Sequence, residues 1–299
     1  MTTAFTPERW AYEITHLLNA VFGADRFPID VPLLAKEYTA TKFPDEPIIS
    51  VAGDNLPGFD GALFRAPAGR RGWGIIYNNA IRSQGRVNFT LAHEFGHFLL
   101  HRLAHPDGIQ CGEQDVVRWD SGYGQIEHQA NVFAANLLMP LDDYRRQISA
   151  SAKVDLDMIG QCAERYRVSL IAAALRWLSF TEKRAVLVVS RDGFILWARS
   201  SEPALKTGAF FRTSKGPIET PSTSLASQPG LLVEGKGAID HVRNVWFPEP
   251  VRELALFAEH YDFTVSLLLL DDHAPFLAPN SEEPDTYDKF VPAERRREW

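Results

Sequence analysis

His93-Glu94-Phe95-Gly96-His97 form an H-E-x-x-H sequence. Two histidines four residues apart share one face of a helix, so both imidazoles can reach a single metal ion. The glutamate beside the first histidine then lies near a water activated by that metal and can take its proton. Leu91, Phe95, Phe98 and Leu99 supply apolar packing surface, and Asn88 is the expected N-cap. Gly96 costs about 1 kcal/mol of helix propensity against alanine, so its presence predicts close packing at that point. A hydrolytic metal site needs three protein ligands and one open position. Glu127 is the best third candidate, with His128 and Glu113 behind it. A solvated acid in a first helical turn is the plainer reading of Glu127.

The element that must bring Glu127 forward runs from Ile126 to Pro140. Its mixture of alanine, apolar and polar residues predicts a tightly packed second helix that stops before Pro140. Asn131 lies one turn beyond Glu127 on the same face, where it could hydrogen-bond a ligand. Upstream, Trp10, Ile14, Leu17, Leu18, Val21 and Phe22 recur at helical spacing within residues 5–40. Ile29–Tyr38 reads as a second helix entered through Pro32. Short strands are expected around Ile48–Ser50, Ala62–Arg65 and Trp73–Tyr77, separated by Gly and Pro turns. The long polar segment from His101 to Gly124 has the length of a lid or substrate contact. His101, two turns beyond His93, is read as a hydrogen-bonding neighbour of the ligands or a surface residue. Tyr123 and His128 are candidates for stabilising an oxyanion. Cys111 is read as an ordinary free thiol in preference to a redox or metal role.

The residues from Gly74 to Asn78, from Arg86 to His101, and the pattern Glu127-x-x-Ala130-Asn131-x-Phe133-Ala134-Ala135-x-Leu137-Leu138-Met139-Pro140 together resemble the ImmA/IrrE family of bacterial and phage metallopeptidases. The resemblance ties down roughly residues 73–140. It implies that His93, His97 and Glu127 bind Zn2+ (Mn2+ being the alternative) and that Glu94 is the catalytic acid/base. It also implies a protein substrate, a helix-turn-helix repressor cut so that genes are derepressed under stress or for mobile-element transfer. In the zincin layout a sheet edge runs beside the metal helix. The strand ending near Tyr77, with Ile75, Ile76 and Tyr77, is the candidate to pair with an extended substrate; a purely structural strand is the equal alternative.

A chain of 299 residues with 45% hydrophobic content can bury a large core, and two or three domains are expected. The expected fold class is α+β: a zincin-like metallopeptidase core (1–150), a helix-turn-helix-like helical segment (151–180), a C-terminal α+β domain, sensor-like by the same resemblance (181–270), and a polar tail (271–299). Asp155 to Leu178 carries two short amphipathic helices meeting at Arg167-Val168-Ser169, with Ser169 as cap. Leu170, Ile171 and three alanines stand where a DNA-reading helix would place basic or amide side chains. Packing or protein contact is therefore preferred to direct DNA binding. Ala185–Ser190 and Phe194–Arg199 read as a hairpin around Arg191-Asp192-Gly193. A long loop follows over residues 213–230, then a helix from Pro250 to Tyr261 and a buried strand from Phe263 to Leu270. The net charge of −7 argues against a large nonspecific nucleic-acid surface. No apolar run is long enough for a membrane span, and the start of the chain lacks signal-peptide features. Cys111 and Cys162 are too few for a disulfide framework, so a cytoplasmic location is expected. The expected activity is zinc-dependent endopeptidase. A noncatalytic regulator that binds a repressor or DNA through the same scaffold is the alternative.

Overall fold

Prolines open the first two helices. Pro7–Phe22 (α1) starts at Thr6, whose hydroxyl accepts from the Arg9 N–H; Val31–Lys42 (α2) starts at Asp30, whose carboxylate accepts from the Leu33 N–H at 3.0 Å. Each cap satisfies a backbone donor that has no partner inside the helix, and proline fits where no N–H is needed. The structure, a computed structural model, describes residues 5–67, 69–112 and 122–272, side chains excepted at 110–112, 122, 123, 229 and 260. Contacts divide the chain into two compact units. One holds the described residues up to Tyr144 together with Gln161–Ala172; the other holds Arg145–Gly160 and the described residues from Ala173 onward.

In the first unit, strands Ile48–Asp54 (β1), Phe59–Arg65 (β2), Trp73–Asn78 (β3) and Gly108–Gly112 (β4) form a mixed sheet in the order β1-β3-β2-β4. β1 and β3 are parallel, and β2 is antiparallel to both β3 and β4. The expectation of an open edge at Ile75–Tyr77 is therefore wrong. β3 is an interior strand: Ile75, Ile76 and Tyr77 pair with Val51, Ala52 and Gly53 on one side and with Leu63, Ala62 and Gly61 on the other. Its main-chain groups are already committed to neighbours, which leaves none for a substrate. Ile75 is buried, and the Tyr77 ring lies over Gly53, where a Cβ would come within 2.9 Å of it.

Gln84–His101 (α3) and Gly122–Leu138 (α4) are the helices that matter for chemistry. They pack closely where Gly96 sits: a Cβ there would lie 2.9 Å from the Phe133 ring and 3.3 Å from the Ala130 Cα. Phe95 meets Phe133 edge-on, and Phe98 meets Trp73 of the sheet in the same way. All four rings are fully buried, each contributing about 1.5–3 kcal/mol relative to an exposed side chain. α3 begins earlier than its expected Asn88 cap. Ser83 accepts from the Arg86 N–H, while buried Asn88 donates its amide to the Arg167 carbonyl at 3.2 Å. Both side chains can cap, but Asn88 is occupied by carbonyls at the end of another helix.

That other helix, Leu156–Tyr166 (α6), follows Leu141–Gln147 (α5) and precedes Leu170–Leu178 (α7); α6 and α7 contribute residues to both units. Arg167 takes a left-handed conformation at the junction. The Val168 N–H returns to the Ala163 carbonyl and the Arg167 N–H to that of Glu164, the paired bonds of a Schellman stop. Ser169 then caps α7 by accepting from the Ala172 N–H, as the sequence predicts. Buried Asp143 and Tyr166 join half-buried Arg165 in a polar cluster of the first unit, with Tyr166 donating to the Asp143 carboxylate at 2.7 Å.

The second unit is built on a six-stranded antiparallel sheet in the order β7-β6-β5-β10-β9-β8. Its strands are Ala185–Arg191 (β5), Phe194–Ser200 (β6), Ile218–Glu219 (β7), Lys236–His241 (β8), Val251–Ala258 (β9) and Phe263–Leu270 (β10), with a short helix at Glu202–Lys206 (α8). The expected hairpin forms; Asp192 and Gly193 both have positive φ, as its two-residue turn requires. The expected helix from Pro250 to Tyr261 does not form. Its Arg, Glu, Leu and Ala content favours helix, but these residues pair on both sides as β9, and ladder pairing overrides local propensity. Glu253 in β9 is fully buried. It accepts from the Leu225 and Ala226 N–H groups, Trp246 Nε1–H and Ser266 Oγ–H, and contacts His241 Nε2 at 2.7 Å.

Candidate metal centre

α3 buries a continuous run from Thr90 to Leu99, polar residues included. A buried imidazole or carboxylate is tolerated only where partners replace water. Here the partners are one another. The Nε2 atoms of His93 and His97 are 2.9 Å apart; Glu127 Oε2 is 3.1 Å from His93 Nε2, and its Oε1 is 3.2 Å from His97 Nε2. Among the described residues these three form a group able to hold a metal ion. Three donors each about 2.0–2.2 Å from one ion lie roughly 3 Å from one another, so the spacing fits. Proton placement fits as well. His93 Nδ1 lies 2.9 Å from Asn131 Oδ1; an amide oxygen only accepts, so Nδ1 carries the proton and Nε2 keeps its lone pair.

The electrostatics favour cation binding. Burial and then the neighbouring His93 hold His97 down at about 3, so it is a neutral donor at physiological pH. Burial would raise Glu127, but its close contacts with the His93 and His97 imidazoles outweigh that and keep it ionised well below the usual carboxylate range. Burial likewise works against a charged His93, yet the Glu127 hydrogen bond and the Glu94 and Glu127 charges win and raise it. The site thus offers one carboxylate and two imidazole Nε2 atoms to a cation, whose binding would displace any proton shared among them.

Glu94 is fully buried beside β2. A Cβ on Gly61 would meet the Thr90 methyl at 2.6 Å and Glu94 Oε1 at 3.0 Å, so only glycine lets the strand come this close to the helix. Arg86 forks onto Asp60 with bonds of 2.8 and 2.9 Å, tying the start of α3 to the same strand. His101 is buried and contacts His97 Nδ1 at 3.0 Å, with Gln129 Oε1 2.9 Å from its other nitrogen.

The structure thus brings together His93, Glu94, His97, Glu127, Asn131 and His101. His128 is half-buried on α4 and is not in the ligand group; Ile75, Ile76 and Tyr77 serve the sheet. Glu113, Asp115, Asp120, the side chains of Cys111 and Tyr123, and the tail beyond residue 272 lie outside the described residues. Gln129, Gly61 and the Asp60–Arg86 pair went unnoticed in the sequence. The only signal for Gly61 was a glycine within a strand pattern.

Residues 45–178 match the family model described as Peptidase_M78, IrrE N-terminal-like domain. Among solved structures, a Mycobacterium tuberculosis transcriptional regulator superimposes with a TM-score of 0.53 at 15% identity, covering 87% of this chain and 76% of that one. At that identity the likeness is one of fold. No curated protein sequence matches the chain. Among the described residues no helix is long and apolar enough to cross a membrane.

Proposed function

We propose, from the match of residues 45–178 to the IrrE N-terminal-like peptidase family model, that this protein is a zinc-dependent endopeptidase that cleaves a regulatory protein. The observation that carries the reading is the convergence of His93 Nε2, His97 Nε2 and the Glu127 carboxylate within 3.2 Å of one another, with Glu94 next to the first of them. His93, His97 and Glu127 would hold the ion. A bound Zn2+ would lower the pKa of its water towards neutrality and polarise a peptide carbonyl. Asn131 holds the His93 ring by accepting its Nδ1–H. Glu94 takes the proton of the attacking water and passes it to the leaving amine nitrogen. Its fully buried setting against Gly61 limits the positions the carboxylate can adopt, which is what proton transfer at a fixed distance needs.

The substrate we propose is a helix-turn-helix repressor, cut to derepress the genes it controls in a stress response; the resemblance of residues 73–140 to the ImmA/IrrE family is the support for that class. The chain acts in the cytoplasm, where such a substrate is found. The test incubates purified wild type and Glu94→Gln with the repressor encoded beside this gene, with Zn2+ and with a chelator. Cleavage by the wild type alone, lost with the chelator, is the expected result. Equal and tight binding by both proteins without cleavage would replace the peptidase by a noncatalytic regulator.

A further inference from the structure

The two histidines of the metal centre are oriented by different means. His93 is held in one step through Asn131, whereas His97 leads to a second imidazole and then to an amide at the surface. We infer that His101 and Gln129 form a directional hydrogen-bond relay that fixes the tautomer and ring orientation of His97 for metal binding. This rests on the metal-centre reading given above and makes both residues positioning residues for it.

The direction of the relay follows from the chemistry of the atoms. Gln129 Oε1, 2.9 Å from His101 Nε2, can only accept, so His101 Nε2 carries the proton. In a neutral imidazole the other nitrogen is then a bare acceptor. His97 Nδ1, 3.0 Å from His101 Nδ1, must therefore be the donor. That leaves His97 Nε2 with its lone pair, at the point where it meets Glu127 and His93. Reversing the relay would put a proton on His97 Nε2 and close it to a cation. The amide of Gln129 is thus the end that sets the direction. His101 is buried while Gln129 is exposed on α4, so the relay runs from the surface to a fully buried ligand. Partners of this kind, hydrogen-bonded to the nitrogen that faces away from the metal, set the ring orientation and basicity of a ligand.

The experiment is a competition titration of Zn2+ against a chromophoric chelator, using the full chain, together with long-range 1H–15N imidazole spectra of the zinc-loaded wild type. The spectra should show His101 protonated at Nε2 and His97 at Nδ1. Gln129→Met, which removes the acceptor from an exposed position, should weaken Zn2+ binding up to about tenfold. Gln129→Glu, which can only accept, should bind at least as tightly as wild type. His101→Phe should lose about tenfold, and His101→Gln should recover most of it, because its amide oxygen can accept from His97 Nδ1–H directly. A proton on His101 Nδ1, or wild-type affinity in Gln129→Met and His101→Phe, would overturn the relay alone. If His101→Phe does not fold, the exposed Gln129 variants and the spectra still decide. Failure of the wild type to bind Zn2+ would remove the metal centre and the relay with it.

Discussion

Replacing Gly61 by alanine should damage the site without substituting any group that does chemistry. The new Cβ would sit 2.6 Å from Thr90 Cγ2, 3.0 Å from Glu94 Oε1 and 3.2 Å from Glu94 Cγ. Ordinary contact begins near 3.4 Å, so the methyl overlap is almost an ångström, and Thr90 is β-branched on a buried helix with little room to yield. Overpacking of this kind costs about 1–3 kcal/mol. Gly61 does not have a positive φ, so alanine is otherwise compatible and returns about 0.4–1 kcal/mol through the unfolded chain. At an approach of 2.6 Å the upper half of the overpacking range applies, so the net loss is about 1–2.5 kcal/mol. It should appear as a lower urea midpoint at unchanged m-value and as faster amide exchange in α3 and β2, which reads the first unit separately. Displacing Glu94 by as much as 1 Å should also reduce peptide cleavage by about 10²-fold. Thr90→Ser removes the obstructing methyl, so the double variant should regain most of the stability, a coupling that a double-mutant cycle reads. Wild-type stability in Gly61→Ala, or no recovery on adding Thr90→Ser, would refute the argument that this glycine sets the strand-to-helix distance.

Gly96→Val should weaken Zn2+ binding, because the side chain would meet the Phe133 ring and Ala130 and part the helices that carry His93, His97 and Glu127; chelator competition reads this. Excess Zn2+ should raise thermal stability in the wild type, by about 2.7 kcal/mol at a hundred times Kd, and leave His97→Asn nearly unchanged in a melting series. Asp143→Asn should destabilise the chain by about 3 kcal/mol through the loss of a buried charge partner of Arg165 and an acceptor of Tyr166. Burial would raise Asp143, but its Arg165 and Tyr166 bonds outweigh that and lower it. Its contribution is therefore present above the unfolded value of about 3.9 and lost as the pH falls through the lower folded value. The wild-type advantage over Asp143→Asn should shrink only in strong acid, as paired denaturation curves at several pH values would show.

The group of residues able to hold a metal was largely legible because its grammar is local. His93, Glu94 and His97 are placed by helix periodicity alone, and the second helix shows itself through alanine packing positions and its stop at Pro140. The hairpin at Asp192-Gly193 and the junction at Ser169 were equally readable, since turns and caps depend on a few adjacent residues. The misreadings share a cause. Asn88 competes for partners 78 and 79 residues away, β3 became an interior strand only when β1 paired beside it, and Val251–Ala258 became a strand because β8 and β10 flank it.

By itself the sequence determined which atoms could bind a metal and which carboxylate could move a proton, because a helix places neighbours four residues apart at a known spacing. Only the tertiary structure decided that Glu127 lies beside His93 and His97, that Asn131 accepts from His93, and that His101 links His97 to Gln129. Those contacts join residues 28 to 38 positions apart, or depend on side-chain direction. Chain periodicity carries no information about either until two helices have packed at Gly96.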